Sequence, residues 1–360
     1  TRIAFYKDNA KFFSTLSFRG QVKRYRDAVA SHFERARSVL ANVSSFTESG
    51  FPAPLASRNE FLARHSQFYA LDSETLALGP GVYTFREPVL IPSGFRVRIQ
   101  PGTTMYFGED VSLVSWSPID ARGEHYAAIR VRQLYPGKPF GVFAVANTEE
   151  QKNHFTYFDI EGGHQDTING MVLKGMFTVH NSDVEIRHSR FAGATADDAI
   201  NIVYRNAEIT DSVFENNTAD SIDLDFVRGR VVDSSFKNPA GGSNGDALDV
   251  SGSSVELVGN IVEGCGDKGF SIGEHSFARV RRNTVIGCAI GVAVKDLSEA
   301  FFVHNTFLFN TTAIEAYQKK PIFGGGAIWM AESVVWGNGS DVSLDAKSLL
   351  VVAKSIFEHG

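Results

Sequence analysis

IRHSRFAGATADDAINI (186–202) is followed by ITDSVFENNTADSIDL (209–224), VVDSSFKNPAGGSNGDALDV (231–250), LVGNIVEGCGDKGFSI (257–272), VRRNTVIGCAIGVAV (280–294) and FVHNTFLFNTTAIEAY (302–317). Aligned on one apolar position, these lines give the column Phe191, Phe214, Phe236, Val262, Val285, Phe307, continued by Val335 in ESVVWGNGSDVSL. A second column, about two residues earlier, runs Ser189, Ser212, Ser234, Asn260, Asn283, Asn305. Within each line the apolar runs are short, rich in Val, Ile and Phe, and broken by Asn, Gly, Asp or Ser. No segment between them is long enough for a crossover helix. A period of about 22 residues with short strands and tight turns predicts a parallel β-helix. A leucine-rich repeat has a similar period, but its Leu and Asn spacing is absent.

Working outward, NPAGGSNG (238–245) and QKKPIFGGG (318–326) read as insertions at turns, where a stacked coil tolerates them. Residues 89–115 read as the first coils, and 116–175 as further, less regular ones. Residues 20–43 place Val22, Tyr25, Val29, Phe33 and Leu40 at helical spacing, and a second helix is expected from Ser57. The predicted organisation is a helical segment over 1–78 that caps an all-β solenoid over 79–360. An open solenoid end exposes unpaired backbone and apolar core, which gives such a cap its purpose.

The bulk numbers narrow the partners. With 35 basic and 41 acidic residues the net charge is −6, which argues against a nucleic-acid backbone. No apolar run is long enough to cross a bilayer. No signal peptide is recognisable in the sequence, and its start at Thr1 rather than Met suggests a processed chain or part of a longer, multidomain one. Cys265 and Cys288 fall in one column and are expected to be stacked, partly buried thiols rather than a cross-coil disulfide.

Alternation assigns the sides of each strand. With Leu248 and Val250 inward, Asp249 faces out; with Ile222 and Leu224 inward, Asp223 and Asp225 do. The outward row then runs Thr178, Asn201, Asp223, Asp249, Ser271, Ala293, Glu315. Its neighbour runs His180, Val203, Asp225, Ser251, Gly273, Lys295, Tyr317. A third file, at the turn before each strand, is read as Asp198, Asp220, Asp246, Asp267. Like charges one strand spacing apart destabilise a sheet, so a cation, a lysine, a raised pKa or turn amides must offset them.

Three chemistries suit such a patch. In the first, Asp198, Asp220, Asp223, Asp246 and Asp249 offer the oxygen ligands of a hard cation such as Ca²⁺, while Lys268 or Lys295 removes a proton beside a sugar carboxylate, with Asp246, Asp249 and Asp267 around it. In the second, two carboxyls on neighbouring coils hydrolyse a glycosidic bond. In the third, a cation only glues coils together, or the groove binds a polysaccharide without catalysis. Asn201, Asp225, Glu274, Tyr317 and Lys319 are the expected substrate contacts, and Tyr204, Tyr317 and Phe323 offer stacking faces. His154, His164, His180 and His188 form a lesser candidate group for metal or acid–base work.

NGDALDVSGS (244–253) and GDKGFSIGE (266–274) resemble the Asp-bearing coils of the pectate-lyase-like right-handed β-helix superfamily, over roughly residues 80–345. That group contains polysaccharide lyases, polygalacturonase-type hydrolases, uronan epimerases and non-catalytic members. The resemblance implies a right-handed coil and a Ca²⁺-assisted lyase or epimerase of an acidic polysaccharide, in the periplasm or outside the cell. The polygalacturonase pattern is not met: the pair Asp197–Asp198 comes early, GDKG stands in place of Gly-His-Gly, and GVAVKD keeps only Lys295. The Asp-Pro-His-Glu signature of the epimerases is absent as well.

Overall fold

The computed structural model describes residues 2–6, 57–237 and 245–359. Each coil contributes one strand to each of three parallel faces. The first, called here the site face, includes Asp198–Val203, Asp220–Asp225, Leu248–Ser251, the end of Ile261–Gly273, the end of Thr284–Lys295 and Thr312–Tyr317. The second includes Asn206–Thr210, Arg228–Val232, Ser254–Val258 and Phe277–Arg281. The third includes Arg190–Ala192, Val213–Glu215 and Ser235–Lys237. Pairing between coils is parallel throughout. Parallel crossovers wind right-handed, and this chain is a right-handed parallel β-helix.

Register follows the apolar columns. Phe191, Phe214, Phe236, Val262, Val285, Phe307 and Val335 are successive partners. The rings of Phe191, Phe214 and Phe236 stack at centroid distances of 5.4 and 4.9 Å. Burying each such side chain contributes roughly 1.5–3 kcal/mol, so the column both sets the register and supplies the cohesion.

The Ser/Asn column satisfies the turns. Each backbone N–H donates to the side-chain oxygen one coil on: Ser189 to Ser212 (3.2 Å), Ser212 to Ser234 (3.2 Å), Ser234 to Asn260 (3.0 Å), Asn260 to Asn283 (2.9 Å) and Asn283 to Asn305 (3.0 Å). Buried N–H groups left unpaired would each cost about 1–3 kcal/mol. The residue just before each ladder position adopts positive φ: His188, Asp211, Asp233, Gly259, Arg282 and His304. Only one of these is glycine. Side chains that ordinarily avoid this region are held there because the ladder fixes the turn on both sides.

At the N-terminal end, Ser57 caps the helix Arg58–Arg64 through a capping box with Glu60. Phe61 on that helix meets Phe68 at 5.3 Å, and Phe68 meets Phe85 at 6.2 Å, which closes the apolar stack of the first coils. Solenoid pairing begins with Thr75–Leu78 against Arg96–Ile99, slightly before residue 79. Within 1–78, expected to be helical, Arg2–Tyr6 is a strand parallel to Leu349–Ala353 at the opposite end of the coil. The helix expected over 20–43 lies outside the described residues.

Candidate functional site

The outward rows assemble as alternation requires. Asn201, Asp223, Asp249 and Ser271 are successive partners, followed by Ala293 and Glu315. Val203, Asp225, Ser251 and Gly273 form the adjacent row, and Lys295 pairs with Tyr317. These side chains point away from the core, yet many are not solvated. Asn201 is 2 % exposed, Asp223 9 % and Lys295 2 %, and in the file at the turn before each strand Asp198 is 4 % exposed, Asp246 5 % and Lys268 7 %.

The third file differs from the sequence reading by one residue. Asp198 pairs with Asp220, and the next two places go to Asp246 and Lys268, because Leu248 pairs with Ile222 and Phe270 with Leu248. Asp267 is not in the file. The register shifts between Cys265 and Lys268, so Gly266 and Asp267 oppose a single residue, and a bulge of this kind ejects its extra residue from the ladder. The consequence is electrostatic: three stacked carboxyls end on an ammonium instead of a fourth carboxyl.

Asp246 stands at the centre. Its N–H donates to Asp220 Oδ1 (2.7 Å), and its own Oδ1 accepts from the Lys268 N–H (2.9 Å) and lies 3.4 Å from Lys268 Nζ. The Lys268 ammonium also pairs with Asp267. Asp220, Asp246 and Asp249 each bring a carboxylate oxygen within 4.8 Å of the others. Lys295 Nζ donates to Ser271 Oγ (2.7 Å) and lies 3.8 Å from Asp249. Asn201 donates to Asp223 (3.1 Å). Asp223 Oδ1 and Asp198 Oδ2 are buried without a hydrogen-bond partner.

Burial and mutual repulsion shift these groups. Burial, then the charge of Asp220, pushes Asp198 up to about 8. Burial, then Asp246, raises Asp220 to about 8. Asp246 rises less, to about 6, because Lys268 counters its burial. Asp223 is raised by burial and by Asp198, and Asp225 by burial. Burial opposes the charge on Lys268, but Asp246 and Asp267 outweigh it and hold the ammonium above the ordinary lysine value. With only the protein's own groups around it, Lys268 is a held cation, its ammonium set against Asp246 and Asp267.

Of the five carboxylates expected as ligands, three stand together. Among the described residues the one cluster of metal-competent side chains is Asp220, Asp246 and Asp249; Asp198 and Asp223 flank it. An all-oxygen donor set with unpartnered carboxylate oxygens beside it fits a hard cation. Tyr317 is half-buried at the C-terminal side, and Lys319 is exposed, its N–H donating to Asp296 (2.7 Å). Glu274 accepts from Ser251 (2.7 Å) and pairs with Lys320.

The other candidates part ways. His164 bonds Asp110 (2.8 Å), His188 bonds Asp211 (2.5 Å), His154 lies 3.9 Å from Glu185, and His180 packs edge-on to Tyr204. The four do not converge. Tyr204 stacks on Phe226 at 5.6 Å, and Phe323 is half-buried in the loop after Tyr317. Cys265 and Cys288, expected as thiols, are joined in a disulfide with a Cα–Cα distance of 4.6 Å, because stacked positions facing the same way fall within bonding reach. Three groups that matter were missed: Ser271 as the Lys295 partner, and Lys320 and Asp296. Ser271 was legible from its row. Lys320 and Asp296 meet only through the folding of a loop.

The family comparison agrees on the fold. Residues 174–338 match the family model described as a right handed beta helix region. Among solved structures, a double mutant of the periplasmic alginate epimerase AlgG is 12 % identical, with 85 % of this chain and 84 % of that one covered and a TM-score of 0.43. An alginate lyase from Paenibacillus sp. is 12 % identical, covering 71 % and 92 %, at a TM-score of 0.34. The pectate lyase Pel9A is 10 % identical, covering 77 % of each chain, at 0.35. No curated protein matches the sequence.

Proposed function

We propose that this protein is a carbohydrate-active enzyme of an acidic polysaccharide, and that its reaction begins by removing the proton beside a uronate carboxylate. Lyases and epimerases share that step. The observation that carries this reading is the convergence of Asp220, Asp246 and Asp249 within 4.8 Å, with Lys268 directly against Asp246. Calcium held by those three carboxylates would neutralise the charge of the substrate's own carboxylate. Lys295, beside Ser271 and Asp249, is placed to bind that carboxylate. Lys268 is the base under this reading, and its role depends on Asp246. While Asp246 is free to pair with it, the ammonium stays charged; when Asp246 serves as a ligand, that hold weakens and the lysine can lose its proton. Asn201, Asp225, Tyr317 and Lys319 flank the centre as substrate contacts. The Cys265–Cys288 disulfide supports a periplasmic or extracellular setting, where such bonds persist.

One observation favours a second reading, hydrolysis. Asp220, raised to about 8 by burial and by Asp246, keeps its proton at neutral pH close to Asp249, the acid-beside-carboxylate arrangement that glycosidases use.

The test is a panel of polyuronates and neutral polysaccharides, with calcium or with chelator. A lyase yields an unsaturated product absorbing in the ultraviolet. An epimerase incorporates solvent deuterium without that absorbance, and either signal should vanish in Lys268→Ala and in chelator. Reducing ends without absorbance would establish hydrolysis instead. If no signal arises on the full panel while Asp249→Asn lowers the melting temperature only when calcium is present, the site is a structural cation position and the enzymatic proposal fails.

A further inference from the structure

The loop Gln318–Gly326 follows the site-face strand Thr312–Tyr317 and has no regular structure. It is nonetheless tightly built. Asp296 is fully buried, and its Oδ1 accepts from the N–H groups of both Lys319 and Lys320, at 2.7 Å each. The Gln318 side chain donates to the carbonyls of Lys320 (3.3 Å) and Pro321 (3.1 Å). On the return, Gly326 lies so close to the coil that a Cβ there would fall 2.0 Å from the Val294 carbonyl oxygen. A loop held this firmly presents its side chains in fixed places.

One of them is Lys320. Its ammonium reaches back over two coils to Glu274 Oε1 at 2.6 Å, and its side chain is 48 % exposed. Glu274 is itself anchored by Ser251 (2.7 Å). The pair sits at the C-terminal edge of the acid cluster, near enough for the Lys320 charge to act on Asp225 and Asp249. Along the solenoid axis the coils of 198–251 carry the stacked aspartates, and those that follow bring in Lys268, Lys295, Lys319 and Lys320 beside Asp267, Glu274, Asp296 and Glu315.

Resting on the proposed reading of the site, we propose that Lys320 binds a second carboxylate of the polysaccharide, on a sugar lying C-terminal to the reacting one, and that Glu274 occupies this place in the free protein as an internal surrogate. The anionic chain then runs along the axis from the aspartates toward the loop. Lys320 is half exposed and Glu274 keeps its hydrogen bond from Ser251 when the ammonium leaves it, so a substrate carboxylate can take the place of Glu274 with one charge pair exchanged for another.

The test is calorimetry of the full chain with calcium, using tetragalacturonate and tetramannuronate as acidic probes and their methyl esters as uncharged ones. Lys320→Gln should weaken the acidic probe about tenfold, one charge-assisted hydrogen bond, and leave the ester unchanged. Lys320→Arg should retain binding, and Glu274→Gln should strengthen it several-fold. If the wild type binds an acidic probe and Lys320→Gln binds it equally well, this assignment is overturned while the reading of the site stands. If the wild type binds neither acidic probe, both fall.

Discussion

The site face and the second face of the same coils place charges at the same spacing with opposite outcomes. On the second face, Glu208, Arg230, Glu256 and Arg279 are successive cross-strand partners. The signs alternate, and Arg279 meets Glu256 at 3.1 Å. On the site face, Asp198, Asp220 and Asp246 stack in one file with Asp223 and Asp249 beside them. One face compensates itself within the sheet. The other requires protons, Lys268 and, in our proposal, a cation. The second face also holds the broad concavity of about 740 Å³ lined by Arg228, Arg230, Glu256 and Arg279, yet its charges already answer one another. Unpaired like charge, rather than concavity, distinguishes the site face.

The comparison can be broken most directly by neutralising one residue on each face. Asp246→Asn should cut turnover of the responsive polyuronate at least about a hundredfold and abolish its calcium dependence, whereas Glu256→Gln should leave turnover within about twofold. Equal losses from the two would erase the distinction. Next in size is the disulfide, which joins neighbouring coils just before the bulge that bears Asp267. The double change Cys265→Ser, Cys288→Ser should lower unfolding free energy by about 3 kcal/mol, measured by denaturant titration under non-reducing conditions.

A smaller effect sharpens the electrostatic contrast. Asp198 and Asp220 are raised from 3.8 to about 8, so between those values the folded protein binds more protons than the unfolded one. Their contribution to stability is full below the unfolded pKa and is lost as pH rises through the folded pKa. In chelator the melting temperature should therefore be higher at pH 5 than at pH 8.5, and calcium should narrow the gap by occupying the carboxylates. A melting temperature indifferent to pH and calcium would show that the stacked aspartates carry no net penalty. Smallest of all, Glu256→Gln should change stability by less than about 1 kcal/mol, because its partners remain solvated.

How far the residues could be read in advance depends on whether a feature is periodic. The Phe191–Val335 column, the Asn201–Glu315 row and the helix start at Ser57 were all legible, since each is set by spacing or a local cap. The exchange of Asp267 for Lys268 was not, because a bulge shifts register by one residue without leaving a break in the apolar pattern. The left-handed turn residues His188, Asp211 and Arg282 gave no signal either; their side chains do not ask for that conformation, and the neighbouring ladder imposes it. Lys320 and Glu274 lie far apart in sequence on different coils, and their meeting depends on the path of an irregular loop.

By itself the sequence determined the solenoid, its register through the central coils, and the gathering of aspartates on one side, because stacking converts a linear period into a spatial file. Only the tertiary structure decided which carboxylates converge, that a lysine ends their file, that the two cysteines are bonded, and that outward-facing groups are nonetheless buried. Those outcomes depend on distances of a few ångströms between coils and on what covers each side chain, and no linear pattern encodes either.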